Sequence, residues 1–300
     1  MGLAPDEMAA VRRLATTCEE AGGQDLKVVL RPAGDAASEG HEPTQFVAVS
    51  GGEVVGYAGA DRGEDVEICG MVHPAHRRTG MGAALLQETL AAARAMGRDT
   101  ALVICEDAAP VAFDWMRRLG GHLDSSELRM VLRLDPRDPA DRAATPVVTL
   151  RKSSPGVRPV LRHLLREGFP ETDDANLDRM LSQHDSVEEE SLIAWDGDRP
   201  VATVRLIEDT PERSMVYGLV VDSRFRGQGF GAATMRAALA HLSAAGATEV
   251  SLEVLPDNEP AVRLYRGLGF KEVTTYRYMR VHTDKVSAAN EQSASGGDLR

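Results

Sequence analysis

Val220-Val221-Asp222-Ser223-Arg224-Phe225-Arg226-Gly227-Gln228-Gly229-Phe230-Gly231 is the stretch from which the rest of the chain can be read. An apolar run ends in three alternating glycines, and a helix-forming segment follows at once. The pattern predicts a strand passing through a glycine-rich turn into a helix N-terminus. Such a turn leaves backbone N–H groups without intrahelical partners, with the positive end of the helix dipole behind them. Glycine admits positive φ and close approach of a ligand to the backbone, and the natural guest is a phosphate or pyrophosphate. The absence of a Gly-Lys-Ser/Thr ending excludes a Walker A loop. The Gly-x-Gly-x-Gly spacing also misses the dinucleotide fingerprint, although Glu249 and Glu253 stand at a tolerable distance for its acidic residue. Taken alone, the turn is equally well explained as a structural loop, so its meaning rests on the remaining chain.

The chain has 300 residues, enough for one large or two ordinary domains. With 43% hydrophobic and 27% charged residues it reads as a soluble globular protein, and its formal charge of −12 argues against a nucleic-acid or anionic-membrane surface. Three scattered cysteines, Cys18, Cys69 and Cys105, suggest neither a disulfide framework nor a zinc site. No metal is expected. No apolar run reaches spanning length, and the first residues lack the basic and apolar parts of a signal peptide. The expected location is the cytoplasm, and the expected assembly a monomer or homodimer.

Taken in order, the chain predicts a helix over Asp6 to Glu20, a short strand at Lys27 to Leu30, a hairpin over 46–58 and a strand from Asp65 to Val72. The segment Arg77-Arg78-Thr79-Gly80-Met81-Gly82 follows as a second glycine-bearing turn, then a helix, a strand at Ala101 to Cys105, a helix at Pro110 to Leu119 and a strand at Leu128 to Leu134. A charged, proline-bearing linker begins at Asp135. After it the same order returns, closing with a predicted final hairpin through Val281 and a polar tail over 283–300 that reads as disordered. The two halves keep a constant spacing. Gly229 follows Gly80, Arg226 follows Arg77 and Gly269 follows Gly120, each by 149 residues. A fixed offset across strand, turn and helix indicates two copies of one fold. The hairpin glycines Gly51 and Gly197 differ by 146, so the second copy carries a three-residue insertion between hairpin and third strand. The expected domains are residues 1–143 and 144–282, with 283–300 as the tail.

At this point a resemblance becomes specific. Arg226-Gly227-Gln228-Gly229-Phe230-Gly231 is similar to the Arg/Gln-x-x-Gly-x-Gly/Ala signature of the GCN5-related N-acetyltransferases, the GNAT superfamily. Asn258, Ala261, Tyr265 and Gly269-Phe270 resemble its second hallmark, Asn-x-x-Ala-x-x-x-Tyr with a following Gly-Phe. The likeness covers both halves and resembles a bacterial group of tandem acetyltransferases, with the mycothiol synthases sharing the two-domain plan more distantly. The resemblance implies an α/β (α+β) fold of two tandem GNAT domains, each a mixed, mostly antiparallel sheet flanked by helices. It also implies acetyl-CoA as donor, lodged in a V-shaped splay between the fourth and fifth strands. The pantetheine arm would pair with Leu219, Val220 and Val221, and the pyrophosphate would sit on the amides of Arg226 to Gly231.

Acetyl transfer to an amine needs a base for the ammonium proton, a donor for the oxyanion and a partner for the departing thiolate. Tyr265 stands where the family places that last group, with core packing as the bland alternative. Asn258 either meets the pantetheine or caps the following helix, and the two roles are compatible. A backbone N–H near Val221 is the expected oxyanion donor. Glu253 is the candidate base, twelve residues before Tyr265 in a spacing that resembles the ribosomal-protein N-terminal alanine acetyltransferases, with Glu208, Asp209 and Glu212 as loop alternatives. In the first copy the turn Arg77 to Gly82 is intact, but Ala109 stands at the offset position of Asn258 and Met116 at that of Tyr265. That domain is expected to hold acetyl-CoA at most, without turnover. His73 and His76 read as loop histidines and Glu188 to Glu190 as a solvated run, while Trp195, Arg205 and Tyr217 line either an acceptor pocket or the core. The expectation is an acetyl-CoA-dependent N-acetyltransferase acting by direct transfer on a primary amine of a small molecule. The alternatives are a protein N-terminal acetyltransferase and a non-catalytic acyl-CoA sensor.

Overall fold

The computed structural model describes residues 3–22, 25–28, 30, 44–62, 65–134, 148–183 and 189–284. The chain divides into two compact units, one made of Met1–Glu127 with Val273–Arg300 and the other of Leu128–Glu272.

The first unit holds α1 (Pro5–Gly22), β1 (Gln45–Ser50), β2 (Glu53–Arg62), β3 (Val66–Val72), α2 (Met81–Ala95), β4 (Thr100–Glu106) and α3 (Pro110–Arg118). It also takes the first half of β5 (His122–Arg133) and nearly all of β11 (Lys271–His282). Its strands run in the order β1-β2-β3-β4-β11-β5. The helical spacing of Val11, Leu14 and Cys18 places them on one stripe of α1, which packs on Tyr57, Met71 and Ile104. On the other face, Leu86 and Leu90 of α2 and Met116 of α3 pack on Ile68, Val103 and Cys105. Described residues of the segment expected as a strand at Lys27 to Leu30 are not in a strand. Instead, Lys27 turns inward, its ammonium 2.6 Å from the Tyr278 hydroxyl and 3.6 Å from Glu127.

The second unit holds β6 (Thr149–Lys152), α4 (Arg158–Gly168), α5 (Asp174–Gln183), β7 (Glu189–Asp196), β8 (Arg199–Thr210), β9 (Arg213–Val221), α6 (Phe230–Ala245), β10 (Glu249–Val254) and α7 (Glu259–Gly267). With the second half of β5, its strand order is β5-β10-β9-β8-β7-β6. Alternation in β7 divides the core, since Ile193 faces α4 and α5 while Leu192 faces α6.

Each half of the chain gives up its last strand. Leu128–Arg133 of β5 pairs antiparallel with β10, from Val254↔Leu128 to Glu249↔Arg133. β11 pairs antiparallel with β4, from Tyr276↔Glu106 to His282↔Thr100. The compact units therefore do not follow the linear division expected at residue 143. The linker at 135–147 and the tail from residue 285 lie outside the described residues. The expected closing hairpin is instead the single strand β11, because its second half serves the other unit's ladder.

Candidate active site

β9 and β10 run parallel and pair from Arg213↔Glu249 only as far as Val216↔Leu252. Beyond that point the strands part, which is the splay the resemblance implied. β9 also carries a bulge there. Its register with β8 passes from Arg205↔Tyr217 to Thr203↔Val220, so one extra residue lies on β9, where Gly218 has φ 57. A one-residue slip moves side chains to the opposite face. Val216 accordingly packs with α6, whereas Val220 meets the end of α4 and Val221 returns to the α6 side.

The equivalent strand β3 pairs with β2 without a shift, from Val72↔Gly56 to Val66↔Arg62. The three-residue insertion in the second copy can now be placed. Glu208↔Ser214 encloses five residues where Arg62↔Val66 encloses three, which accounts for two, and the bulge is the third.

The turn itself is held by Asp222. This carboxylate is 1% exposed and accepts hydrogen bonds from the Arg224 amide and Nε, both at 3.0 Å, with His163 Nε2 also at 3.0 Å. The Arg224 guanidinium, more than any other group, holds Asp222 well below the usual carboxylate range. Arg226 follows in extended conformation; its Nε donates to Val221 O at 3.0 Å and its Nη2 to Glu167 O at 2.8 Å. Gly227 has φ 74, and Gly229, the N-cap of α6, has φ 87. No side chain caps α6 at Gly229, so the amides of its first turn remain available to an anion. Gln228 turns back to Arg224 O, while Phe230 is buried against Phe225.

These parts border a cleft of about 620 Å³. Of the expected residues, Leu219, Val220, Val221, Arg226, Gly227, Gly231, Asn258 and Tyr265 line it. Asn258 caps α7, its Oδ1 accepting from Ala261 N at 3.3 Å, so the capping role is realised at the edge of the cleft. Tyr265 is 8% exposed, with its ring 5.9 Å from that of Phe270, and burial pushes its phenol up to about 12.

Gln228, Gly229 and Phe230 shape the turn without lining the cleft. Glu253 is half-buried on β10 opposite Arg129 and does not line it either. Leu252 and Val254 point into the α6–α7 core that contains Tyr265, so Glu253 belongs to the other face of the sheet. Glu208, Asp209 and Glu212 lie at the opposite end of β9 from the turn, about 25–30 Å away along the strand. None of the three lines the cleft. Trp195 lies 4.9 Å from the Arg151 guanidinium and Arg205 lies 5.5 Å from the Tyr217 ring; none of Trp195, Arg205 or Tyr217 lines the cleft.

Glu167 and Gly168 at the end of α4, with Phe169 and Pro170 just after it, form a wall that the sequence reading did not single out. A Cβ on Gly168 would stand 2.3 Å from Val220 Cγ2. Gly168→Ala is therefore expected to displace the bulged segment, raising the KM for acetyl-CoA several-fold and costing about 1–3 kcal/mol of stability. Adding Val220→Ala should recover most of both losses, as read by acetyl-CoA titration and thermal melting. Additive losses in the double variant would refute the contact.

In the first unit the turn is repeated almost group for group. Arg77 Nε donates to Val72 O at 3.0 Å, His73 accepts from Ala75 N as Asp222 does from Arg224 N, and Gly80 has φ 89. Arg78 sits at φ 66, where the second copy has Gly227. A cleft of about 510 Å³ adjoins this turn. Glu106 lines it, its carboxyl raised to about 7 mainly by burial. Ala109 caps α3 without a side-chain bond, and Met116 is buried where Tyr265 stands in the other copy. His73 and His76 meet edge to face at 5.6 Å. Among the described residues no group of three or more His, Cys, Asp or Glu side chains is arranged to hold a metal ion, and no helix is long and apolar enough to cross a membrane.

A mixed sheet splayed beside an amide-lined helix start, present twice, defines a tandem acyltransferase fold. The family model for the acetyltransferase (GNAT) family matches residues 8–120 and again 158–270, and the chain belongs to that family. It is an acyltransferase with two GNAT domains. A mycothiol acetyltransferase from Corynebacterium glutamicum is 28% identical over 258 residues, covering 78% of this chain and 80% of its own. One from a Parafrankia species is 29% identical, covering 88% and 92%. Among solved structures, a GCN5-related N-acetyltransferase from Sphaerobacter thermophilus superposes with a TM-score of 0.72 at 22% identity over 94% of each chain. A tandem GNAT protein from the clavulanic acid biosynthesis pathway gives 0.66 at 19%, covering 94% of this chain and 98% of its own.

Proposed function

We propose that the second unit is the catalytic half and transfers acetyl from acetyl-CoA directly to a primary amine of a small molecule. The observation that carries this reading is the meeting of turn, bulge, Asn258 and Tyr265 on one cleft, set against a first unit whose β3 is unbulged and whose Ala109 and Met116 offer neither amide nor phenol. The cleft fits the donor chemically. Amides of the Arg226–Gly231 turn and α6 take the pyrophosphate, and the open edge of β9 beyond Val216 takes the pantetheine amides. The bulge turns the backbone at Leu219–Val221, and an N–H of that segment serves the oxyanion. Tyr265, kept neutral by burial, donates a hydrogen bond to the departing sulfur. Glu253 remains the proposed base, reached from the α4 face of the sheet. The turn Arg77 to Gly82 holds a coenzyme without turnover.

The acceptor class draws support from relatives named for mycothiol, a small molecule. The test is release of free thiol from acetyl-CoA by the full chain across a panel holding amino sugars, polyamines and peptide N-termini. Transfer to a small amine, abolished by Arg226→Glu and retained in Arg77→Glu, is the expected outcome. Transfer only to peptides would establish the protein N-terminal reading, and binding without thiol release the sensor reading.

A further inference from the structure

The first unit contains, besides the cleft at its turn, an apolar chamber of about 150 Å³ that reaches both faces of its sheet, bordered by Leu86 and Met116 of α2 and α3 on one side and by Tyr57, Met71 and Ile104 on the other. β3 and β4 pair only at Glu67↔Leu102 and Ile68↔Val103, and the chamber lies where they then part. It joins the cleft, since Gly70, Val72, Gly82, Ala112 and Trp115 border both. Its walls include Ile68, Leu86, Val103 and Met116. Tyr57 also faces it, but the hydroxyl is engaged with Gln45 Oε1 at 3.0 Å. Cys105 is 1% exposed, and burial pushes its thiol up to about 12, so it behaves as a small neutral wall group. Where the second copy places a phenol beside the reacting centre, this copy has the thioether of Met116.

We infer that the first unit binds a coenzyme A thioester whose acyl chain, of about six carbons, fills this chamber. The inference rests on the reading of the turn Arg77 to Gly82 as a coenzyme cradle and adds the identity of the acyl group. A pantetheine laid in the splay brings its thioester to the point where β3 and β4 diverge, and only apolar walls lie beyond. An apolar cavity of about 150 Å³ accommodates a guest the size of benzene, which sets the chain length. An acetyl group would leave most of that volume unfilled. Each methylene withdrawn from water is worth a factor of about four in affinity.

The experiment is calorimetric titration of the full chain with free CoA and with acetyl-, butanoyl-, hexanoyl- and dodecanoyl-CoA. Hexanoyl-CoA should bind one site at least ten-fold more tightly than acetyl-CoA, with affinity falling again at dodecanoyl. The exposed pair Arg77→Glu/Arg78→Glu should remove that site for every species, free CoA included. Ala112→Phe, which fills the junction of chamber and cleft, should bring hexanoyl-CoA down to the acetyl-CoA level there. A free CoA stoichiometry that the charge reversal leaves unchanged, with no site lost, would refute the cradle itself. Free CoA binding that obeys it, with no gain from acetyl to hexanoyl, would refute the chamber while leaving the cradle standing. Affinity rising steadily to dodecanoyl would likewise overturn the inference, and this readout needs no core substitution to fold.

Discussion

Tyr265→Phe is expected to lower kcat by a factor of about 10 to 200 while leaving acetyl-CoA affinity within about two-fold. The range follows from the state of the phenol. Burial raises Tyr265 to about 12, well above the roughly 8.5 of a free thiol, so complete proton transfer from phenol to thiolate is uphill. What the phenol supplies is a hydrogen bond to sulfur as negative charge gathers there, worth about 1.5–3 kcal/mol for a charged acceptor. At about 1.36 kcal/mol per decade this gives the stated factor. General acid catalysis proper would cost about 10²–10⁴ on removal, so a loss above a thousand-fold would reject the hydrogen-bond account. Unchanged turnover would remove Tyr265 from the mechanism.

The same reasoning fixes the pH profile. A phenol raised to about 12 stays protonated across the working range, so kcat/KM should rise as the acceptor amine loses its proton and show no fall from Tyr265 below pH 10. A descending limb near pH 9 that disappears in Tyr265→Phe would show the phenol ionising in the free enzyme.

Much of this candidate site is legible in the sequence. The 149-residue offset, the two turns and the Asn258–Tyr265 spacing are local signals, each tied to a backbone or capping requirement that a short stretch must satisfy by itself. The bulge was half legible. The sequence reading put all three inserted residues between hairpin and third strand, whereas one of them lies inside β9, where an isolated glycine in a strand is a known bulge signal. Yet its position came only from the register against β8. The α4 wall was hidden for a different reason. Gly168 matters because of Val220, more than fifty residues away, and no local pattern encodes that approach. Glu253 illustrates the converse. Its spacing to Tyr265 fits a family pattern, but alternation in β10 sends the two side chains to opposite faces. Strand exchange was the least legible feature, since a proline-bearing linker marks where sequence similarity ends, whichever ladder the preceding strand joins.

That exchange makes the largest structural prediction. Separating the chain at residue 143 is expected to leave two fragments that each fail to fold alone and that assemble 1:1 when produced together. Fragment 144–300 lacks Met130, which is fully buried in the second unit's core, together with Leu128 and Leu132 packed against that core. Losing one buried methionine side chain costs about 2–5 kcal/mol, and the whole β10 ladder partner goes with it. Fragment 1–143 loses Tyr276, Tyr278, Met279 and Val281 from its own core, and the Arg280 guanidinium that binds Asp65 and Asp124. Once several such side chains are summed, either loss is comparable to a typical total stability of about 5–15 kcal/mol. The pair restores both ladders, since each fragment carries the strand the other needs. Co-production should therefore yield a soluble complex with thiol-releasing activity, measured by size-exclusion chromatography and acetyl-CoA turnover. Residues 128–272 should instead melt cooperatively as a single fragment, because that span holds its own β5 segment. A soluble, cooperatively melting and active 144–300 would show that β5 is dispensable to the second unit.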